Sequence, residues 1–449
     1  MNQVTKSVSN KISLTKRIKV EWSTWAGLAF VGALLEGGVL GIIIKNGFSG
    51  QVSDWVLNVS VAIATGAPYF SNLLSFYWVK LSKGKSKAKL VSNLAVVFCL
   101  CALLMALVPF NSMGLIFFLI VIVVARVVWS GILTIRSNIW RANYPRYIRG
   151  KVTAKLATMA SLIMAISGSL LGWILDWQFD AFRGLFILFA IFSIYGAYRY
   201  RSLAVRNQDK EIARETSDSR PSSFVQMLSL LFRNPSFGKY MLAMFTLGSG
   251  NLMFSAPLIV YLNEYTSLAQ LQQILITTAI PLALIPLAVG WWAKLLDGNH
   301  IFYFRSIHSW GFVMALALFF SAQISSLQWL FYLASIVYGI AISGGVIGWN
   351  LGHNDFVDKS SKQSTNDNAK LNRPKQPKEN PMDYMAVHVT LTGLRGLLMP
   401  LVGIAFYQWL EASQPSSGKY ALLLPLCLTS LGAILFTLFN YQHKSEHSN

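Results

Sequence analysis

The chain has 449 residues, 54% hydrophobic and only 12% charged, with a formal net charge of +20. Soluble domains carry roughly 25% charged residues, so lipid rather than water faces most of this chain. The positive excess does not read as a nucleic-acid surface, because Lys and Arg sit in short loops between apolar stretches, where they meet an anionic membrane leaflet.

The N-terminal stretch carries Lys6, Lys11, Lys16, Arg17 and Lys19 and runs into an apolar segment too long for a cleaved signal. It reads as a first spanning helix. Further spans follow, so the predicted set is 23–45, 55–79, 89–109, 112–136, 152–175, 181–198, 238–262, 270–293, 301–323, 326–349, 385–408 and 419–440. Runs of roughly 20 apolar residues cross a bilayer as helices, and their continuity excludes the alternating pattern of a barrel. The fold class is therefore an all-α polytopic membrane protein of about twelve transmembrane helices.

A basic, polar interruption separates two sets of six spans. It divides the chain into an N-terminal bundle (1–198), a linker (199–236) and a C-terminal bundle (237–449), the last carrying a polar loop at about 351–384. Within that loop, Lys359 to Pro381 has no apolar periodicity and reads as a mobile segment. Positive charge falls on alternate loops. One side receives the N-terminus, Lys80, Lys83, Lys85, Lys87 and Lys89, then Arg141, Arg146, Arg149 and Lys151, and the linker. The positive-inside rule makes that side cytoplasmic, with both termini inside. The expected location is the plasma (inner) membrane.

Cys99, Cys101 and Cys427 fall inside apolar spans and give neither a disulfide framework nor a metal site. Gly84-Lys85-Ser86 looks like the end of a phosphate loop, but Val79 stands where that loop needs Gly. Neither H-E-x-x-H nor G-x-S-x-G occurs. The expectation is no enzyme, no cofactor and no metal.

An internal repeat links the halves. Trp78-Val79-Lys80-Leu81 closes the second span and Trp292-Ala293-Lys294-Leu295 the eighth; Ser130-Gly131 and Ser343-Gly344 share nearly the same offset. Repeated halves with a midplane site are a recurrent carrier design.

Charges at the bilayer centre are costly and mark function. Glu36 in the first span and Arg126 in the fourth both lie roughly 3 Å from the midplane. Gly37, Gly38 and Gly41 follow Glu36; Gly248, Gly250, Asn251 and Pro257 interrupt span seven, with Asn251 at the half-chain counterpart of Glu36. Arg395, in span eleven with His388, Thr390 and Thr392, suits an anionic substrate or an interhelical hydrogen bond; Trp349 and Asn350 end span ten. Each has a packing reading beside the functional one: an ion pair between helices, close approach at glycines, or caps and loop ties for His353, Asp355 and His388.

Twelve spans, a basic central linker and basic loops after spans two and eight resemble the major facilitator superfamily. GWWAKLLDGNHIFYFR (Gly290 to Arg305) resembles its loop signature, with Asp297 in the acidic place; the first-half loop, KLSKGKSK, has Ser82 there instead. The resemblance implies two pseudo-symmetric six-helix bundles and places helices one and four on one cavity wall, which brings Glu36 and Arg126 together. It implies a gating role for Lys80, Lys83, Asp297, Arg305 and Arg149. The expected function is secondary active transport of a small solute by alternating access, proton-coupled through Glu36, by a monomer whose partners are that solute and the bilayer. The competing reading is a transporter-like sensor, or a membrane enzyme built on the 353–388 region.

Overall fold

The computed structural model of the chain describes residues 2–217, 224–352, 355–356 and 381–448. Among these residues twelve helices are long and apolar enough to cross a membrane. They are α1 (Leu14–Gly47), α2 (Asp54–Ser82), α3 (Lys87–Ala106), α4 (Ser112–Asn143), α5 (Ile148–Trp177) and α6 (Phe179–Ser202), followed by α7 (Pro235–Tyr265), α8 (Gln270–Asp297), α9 (Ile301–Ser325), α10 (Gln328–Trp349), α11 (Tyr384–Ser413) and α12 (Ser417–Ser445). Each overlaps a span expected from the sequence; several run past it, as α1 and α4 do, while α3 ends and α10 begins a few residues inside the expected bounds. The loop from Lys359 to Pro381 lies largely outside the described residues.

Lipid cannot hydrogen-bond the backbone, so helix ends are closed by side chains. Asn111 caps α4 by accepting from the Gly114 N–H at 2.7 Å. Asn234 caps α7 by accepting from the Phe237 N–H at 3.1 Å, with Pro235 in the first turn, where a missing N–H costs nothing. Arg183 donates to the Ala106 and Val108 carbonyls at the end of α3, each at 2.7 Å. The outer faces carry Trp173, Leu188, Ile191 and Phe192, all more than half exposed. In water such patches would associate; here they meet acyl chains.

The chain forms two compact units. Unit 1 is Met1–Ser219 together with Leu262–Ala283; unit 2 is Arg220–Tyr261 together with Leu284–Asn449. In unit 1, small residues draw α1 onto α6. A Cβ on Gly196 would stand 3.0 Å from the Ser23 carbonyl oxygen, and the Thr24 hydroxyl donates to the Gly196 carbonyl at 2.8 Å. This is how helices associate where burial of apolar surface gives no net drive. Unit 2 is built around buried aromatics, with Tyr240 between Phe302, Phe356 and Phe436.

The sequence repeat is a repeat of contacts. In unit 1 the Trp78 indole N–H donates to the Val127 carbonyl at 3.1 Å, and the ring lies against Gly131. In unit 2 the Trp292 indole N–H donates to the Ile340 carbonyl at 2.7 Å, and the ring lies against Gly344. In each unit the glycine is required, because a Cβ there would come within 2.7 Å of indole carbon.

Candidate functional site

The first helix is broken where the sequence reads Leu-Leu-Glu-Gly-Gly. One helix ends at Leu34 and the next begins at Gly37, with Glu36 extended between them (φ −63°, ψ 141°). The break leaves the Leu35 carbonyl without an ordinary helical partner, and Arg126 of α4 donates to it. The same guanidinium reaches Glu36, Nη2 to Oε1 at 3.5 Å. Arg126 is only 4% exposed, whereas the Glu36 side chain is 30% exposed. The ion pair expected from the two lone central charges is thus present, with a buried cation and a carboxylate open on one side. Removing either partner would leave the other charge poorly solvated.

Gly37 and Gly38 let this elbow pack closely. A Cβ on Gly37 would stand 3.0 Å from Thr65 Cα of α2. One on Gly38 would collide with the hydroxyl oxygens of Thr277 and Thr278 in α8. Those threonines sit in a turn of π-helix, Leu275–Ala279. Its cause is local: the ring of Pro281 clashes with the carbonyl four residues earlier and cannot donate to it, so the turn widens. The Thr-Thr-x-x-Pro pattern is the signal in the sequence, and Thr277 and Thr278 are absent from the residues it first singles out.

A second polar cluster lies elsewhere in unit 1. Lys45, at the end of α1, is 5% exposed. Its ammonium donates to Glu264 Oε1 at 2.6 Å and to Asn58 Oδ1 at 2.9 Å. Alongside, Asn263 donates to Asn46 at 3.3 Å. Asp176 accepts from the N–H groups of Gln270 and Leu271, at 2.7 and 3.0 Å, and so caps α8. A third cluster surrounds Glu21, which is fully buried. Trp25 donates to Glu21 at 2.5 Å and Tyr200 at 3.3 Å. The Arg136 guanidinium lies between the rings of Trp25 and Trp140, at 4.3 and 4.1 Å, a cation–π sandwich. Burial, reinforced by the Glu21 carboxylate, pushes the nearby Tyr144 phenol above its ordinary range.

In unit 2, α7 is interrupted at Phe254. Asn251 stands three residues before the break, and its buried Oδ1 has no hydrogen-bond partner among the described residues. Arg395 donates to the Met244 carbonyl and, at 2.9 Å, to the Thr392 hydroxyl. Its guanidinium lies where a Cβ on Gly248 would be, so it ties α11 to α7. Trp349 meets His388 edge-on, with centroids 5.4 Å apart. The Asn350 side chain and His353 lie outside the described residues. Among the residues expected to gate, Lys80, Lys83 and Asp297 are exposed. Arg149 donates to the Tyr144 carbonyl at 3.1 Å and to the Arg141 carbonyl at 3.4 Å. Arg305 is buried, with Nη1 3.3 Å from His308 Nδ1.

The family model of the Major Facilitator Superfamily matches residues 23–365. The chain belongs to the Major Facilitator Superfamily. Solved structures of the same fold include a point mutant of the nucleoside transporter NupG, at 13% identity and a TM-score of 0.64, over 95% of this chain and 99% of that one. A D-xylose–proton symporter matches at 14% identity and a TM-score of 0.62, over 96% and 97%. The xylose transporter XylE from E. coli, in a partially occluded inward-open conformation, matches at 13% and 0.59, over 94% and 96%. At such identities the likeness establishes the fold. No curated protein sequence matches the chain. Membership makes this superfamily protein a multi-pass membrane transporter.

Proposed function

We propose that the chain is a secondary active carrier that moves a small solute by alternating access, with proton coupling through Glu36. The observation that carries this reading is the Glu36–Arg126 pair at the broken elbow of α1, beside the π turn of α8. Protonation of Glu36 removes the charge that pairs with Arg126. The guanidinium then keeps only its bond to the Leu35 carbonyl, and the elbow is free to rearrange. A carboxylate that changes partner with its protonation state is what couples a proton to a conformational cycle.

The hydroxyls of Thr277 and Thr278 and the Glu36 carboxylate supply donors and acceptors suited to a neutral, hydroxyl-rich solute. Two of the similar structures are of a nucleoside transporter and a D-xylose–proton symporter, which makes pentoses and nucleosides the first class to assay. Arg395 spends its two terminal nitrogens on α7 and on its own helix, and in this reading it ties the two helices together. Residues 262–283 are held in unit 1 by Lys45–Glu264, Asn46–Asn263 and the Asp176 cap. In the alternating cycle these contacts form in one state and break in the other. The basic loops support an orientation with both termini in the cytoplasm, and the plasma (inner) membrane is the location this reading takes; in that orientation Lys80, Lys83, Arg149, Asp297 and Arg305 would stand at the cytoplasmic ends of their helices, positions suited to gating.

Proteoliposomes test the proposal. Uptake of radiolabelled pentoses and nucleosides under an imposed pH gradient is expected for the native chain and expected to lose its gradient dependence in Glu36→Gln. Gradient-driven uptake that is unchanged in Glu36→Gln would remove Glu36 from the coupling.

A further inference from the structure

Where α2 ends against α4, unit 1 has an open cavity of about 500 Å³, apart from the Glu36–Arg126 elbow and lined in part by Lys80 and Lys83. Its walls are apolar, formed by Tyr77, Trp78 and Leu81 of α2 and Val127 of α4. Trp78 is fixed there by its bond to the Val127 carbonyl. The outer wall is open to the surroundings: Tyr77 is 65% exposed, and Phe76 beside it 54%. Lys80, Lys83 and Lys85, at the end of α2 and in the turn after it, also line the cavity, and all three are exposed.

No acidic side chain lines this cavity among the described residues. The family's loop signature would place an acid near these lysines, and Ser82 stands there instead. Glu215 of the linker reaches the turn between Lys83 and Lys85 but does not line the cavity. It pairs with Lys87 at 2.8 and 2.9 Å and accepts from the Gly84 N–H at 3.3 Å. With that carboxylate paired to Lys87, the three exposed lysines leave the cavity's edge net positive, and the rest of its wall is apolar and aromatic. The cavity lies where a span meets the membrane surface, on the side that the basic loops assign to the cytoplasm, whose leaflet is anionic.

We propose that this cavity binds an anionic phospholipid, with the phosphate against Lys80, Lys83 and Lys85 and an acyl chain against Tyr77, Trp78, Leu81 and Val127. Charge complementarity selects the occupant: a zwitterionic lipid gains nothing from three like charges, and a free anion leaves the apolar wall uncovered. The inference requires neither proton coupling nor a functional Glu36.

The test uses the full purified chain in detergent, titrated with phosphatidylglycerol, phosphatidylcholine or inorganic phosphate and followed by native mass spectrometry and thermal unfolding. Phosphatidylglycerol is expected to bind and stabilise in preference to the other two. A lysine near the membrane surface contributes roughly a fivefold preference for anionic lipid. The triple variant Lys80→Gln/Lys83→Gln/Lys85→Gln should therefore lose the preference by about 100-fold, and Lys83→Gln alone by about fivefold. Lys89→Gln, exposed but outside the cavity, should keep it. Leu81→Gln should weaken both lipids and leave their ratio unchanged. Inorganic phosphate that binds as well as the lipid would make this a free-anion site and overturn the proposal. Equal binding of the two phospholipids, or an undiminished preference in the triple variant, would overturn it too.

Discussion

Glu264→Gln is the perturbation whose effect the geometry fixes best. Lys45 is 4% exposed at its side chain and Glu264 28%, with 2.6 Å between Nζ and Oε1. Removing one member of a fully buried pair costs about 3–5 kcal/mol, mostly because the other charge stays buried. Glu264 is partly solvated, and Asn58 still accepts from Lys45 at 2.9 Å, so about 2–3 kcal/mol is the expected loss. That is a shift of roughly 30- to 150-fold toward states in which residues 262–283 leave unit 1. Ile276, fully buried within that segment, is the reporter: an Ile276→Cys chain with Cys99, Cys101 and Cys427 replaced by Ala should label slowly with a maleimide. Adding Glu264→Gln should accelerate labelling by that factor. Lys45→Met should accelerate it less, because Glu264 can turn to water. The double variant Lys45→Met/Glu264→Gln should recover much of the loss, since no buried charge is left unpaired. A coupling energy under about 0.5 kcal/mol in that cycle would refute the view that this pair holds the segment.

Three further outcomes follow from the same structure. Gly38→Ala should abolish most transport and lower the unfolding temperature, because the added methyl collides with the hydroxyls of Thr277 and Thr278; normal uptake at the native unfolding temperature would show that the elbow has room. Arg126→Ala should impair transport more than Arg126→Lys, since a lysine can still pair with Glu36 but cannot also hold the Leu35 carbonyl as the fork of Arg126 does; equal, full activity in both would leave Arg126 a packing residue. Asp176→Ala should destabilise by about 1 kcal/mol through loss of the α8 cap, seen as a lower denaturation midpoint, and no shift would show that the cap is not held in solution.

What the sequence discloses and what it hides have physical causes. Hydrocarbon forces long apolar helices, so the twelve spans and their repeat are legible, and the Trp78 and Trp292 pair proves to be one contact made twice. A charge at the membrane centre has few tolerable surroundings, which is why Glu36 and Arg126 could be matched across a long stretch of chain. Lys45 and Glu264 could not. Each lies at a helix end, where a charge ordinarily faces water, and only folding shows that they are joined. Glu21 and Arg136 are hidden for the same reason: both stand near span ends that read as interfacial, yet both are enclosed by aromatic rings. The widened turn at Thr277 is written in Pro281, but a proline after two threonines also fits an ordinary kink. For Arg395 the sequence allows an anion contact or an interhelical bond, and the Met244 carbonyl shows the second.

The central claim is that a proton on Glu36 drives the cycle, and counterflow separates that claim from mere binding. In proteoliposomes holding solute on both sides, Glu36→Gln should still exchange labelled for unlabelled solute while failing to accumulate it against its gradient when a pH difference is imposed. Accumulation at the native level by Glu36→Gln, with exchange intact, would contradict it.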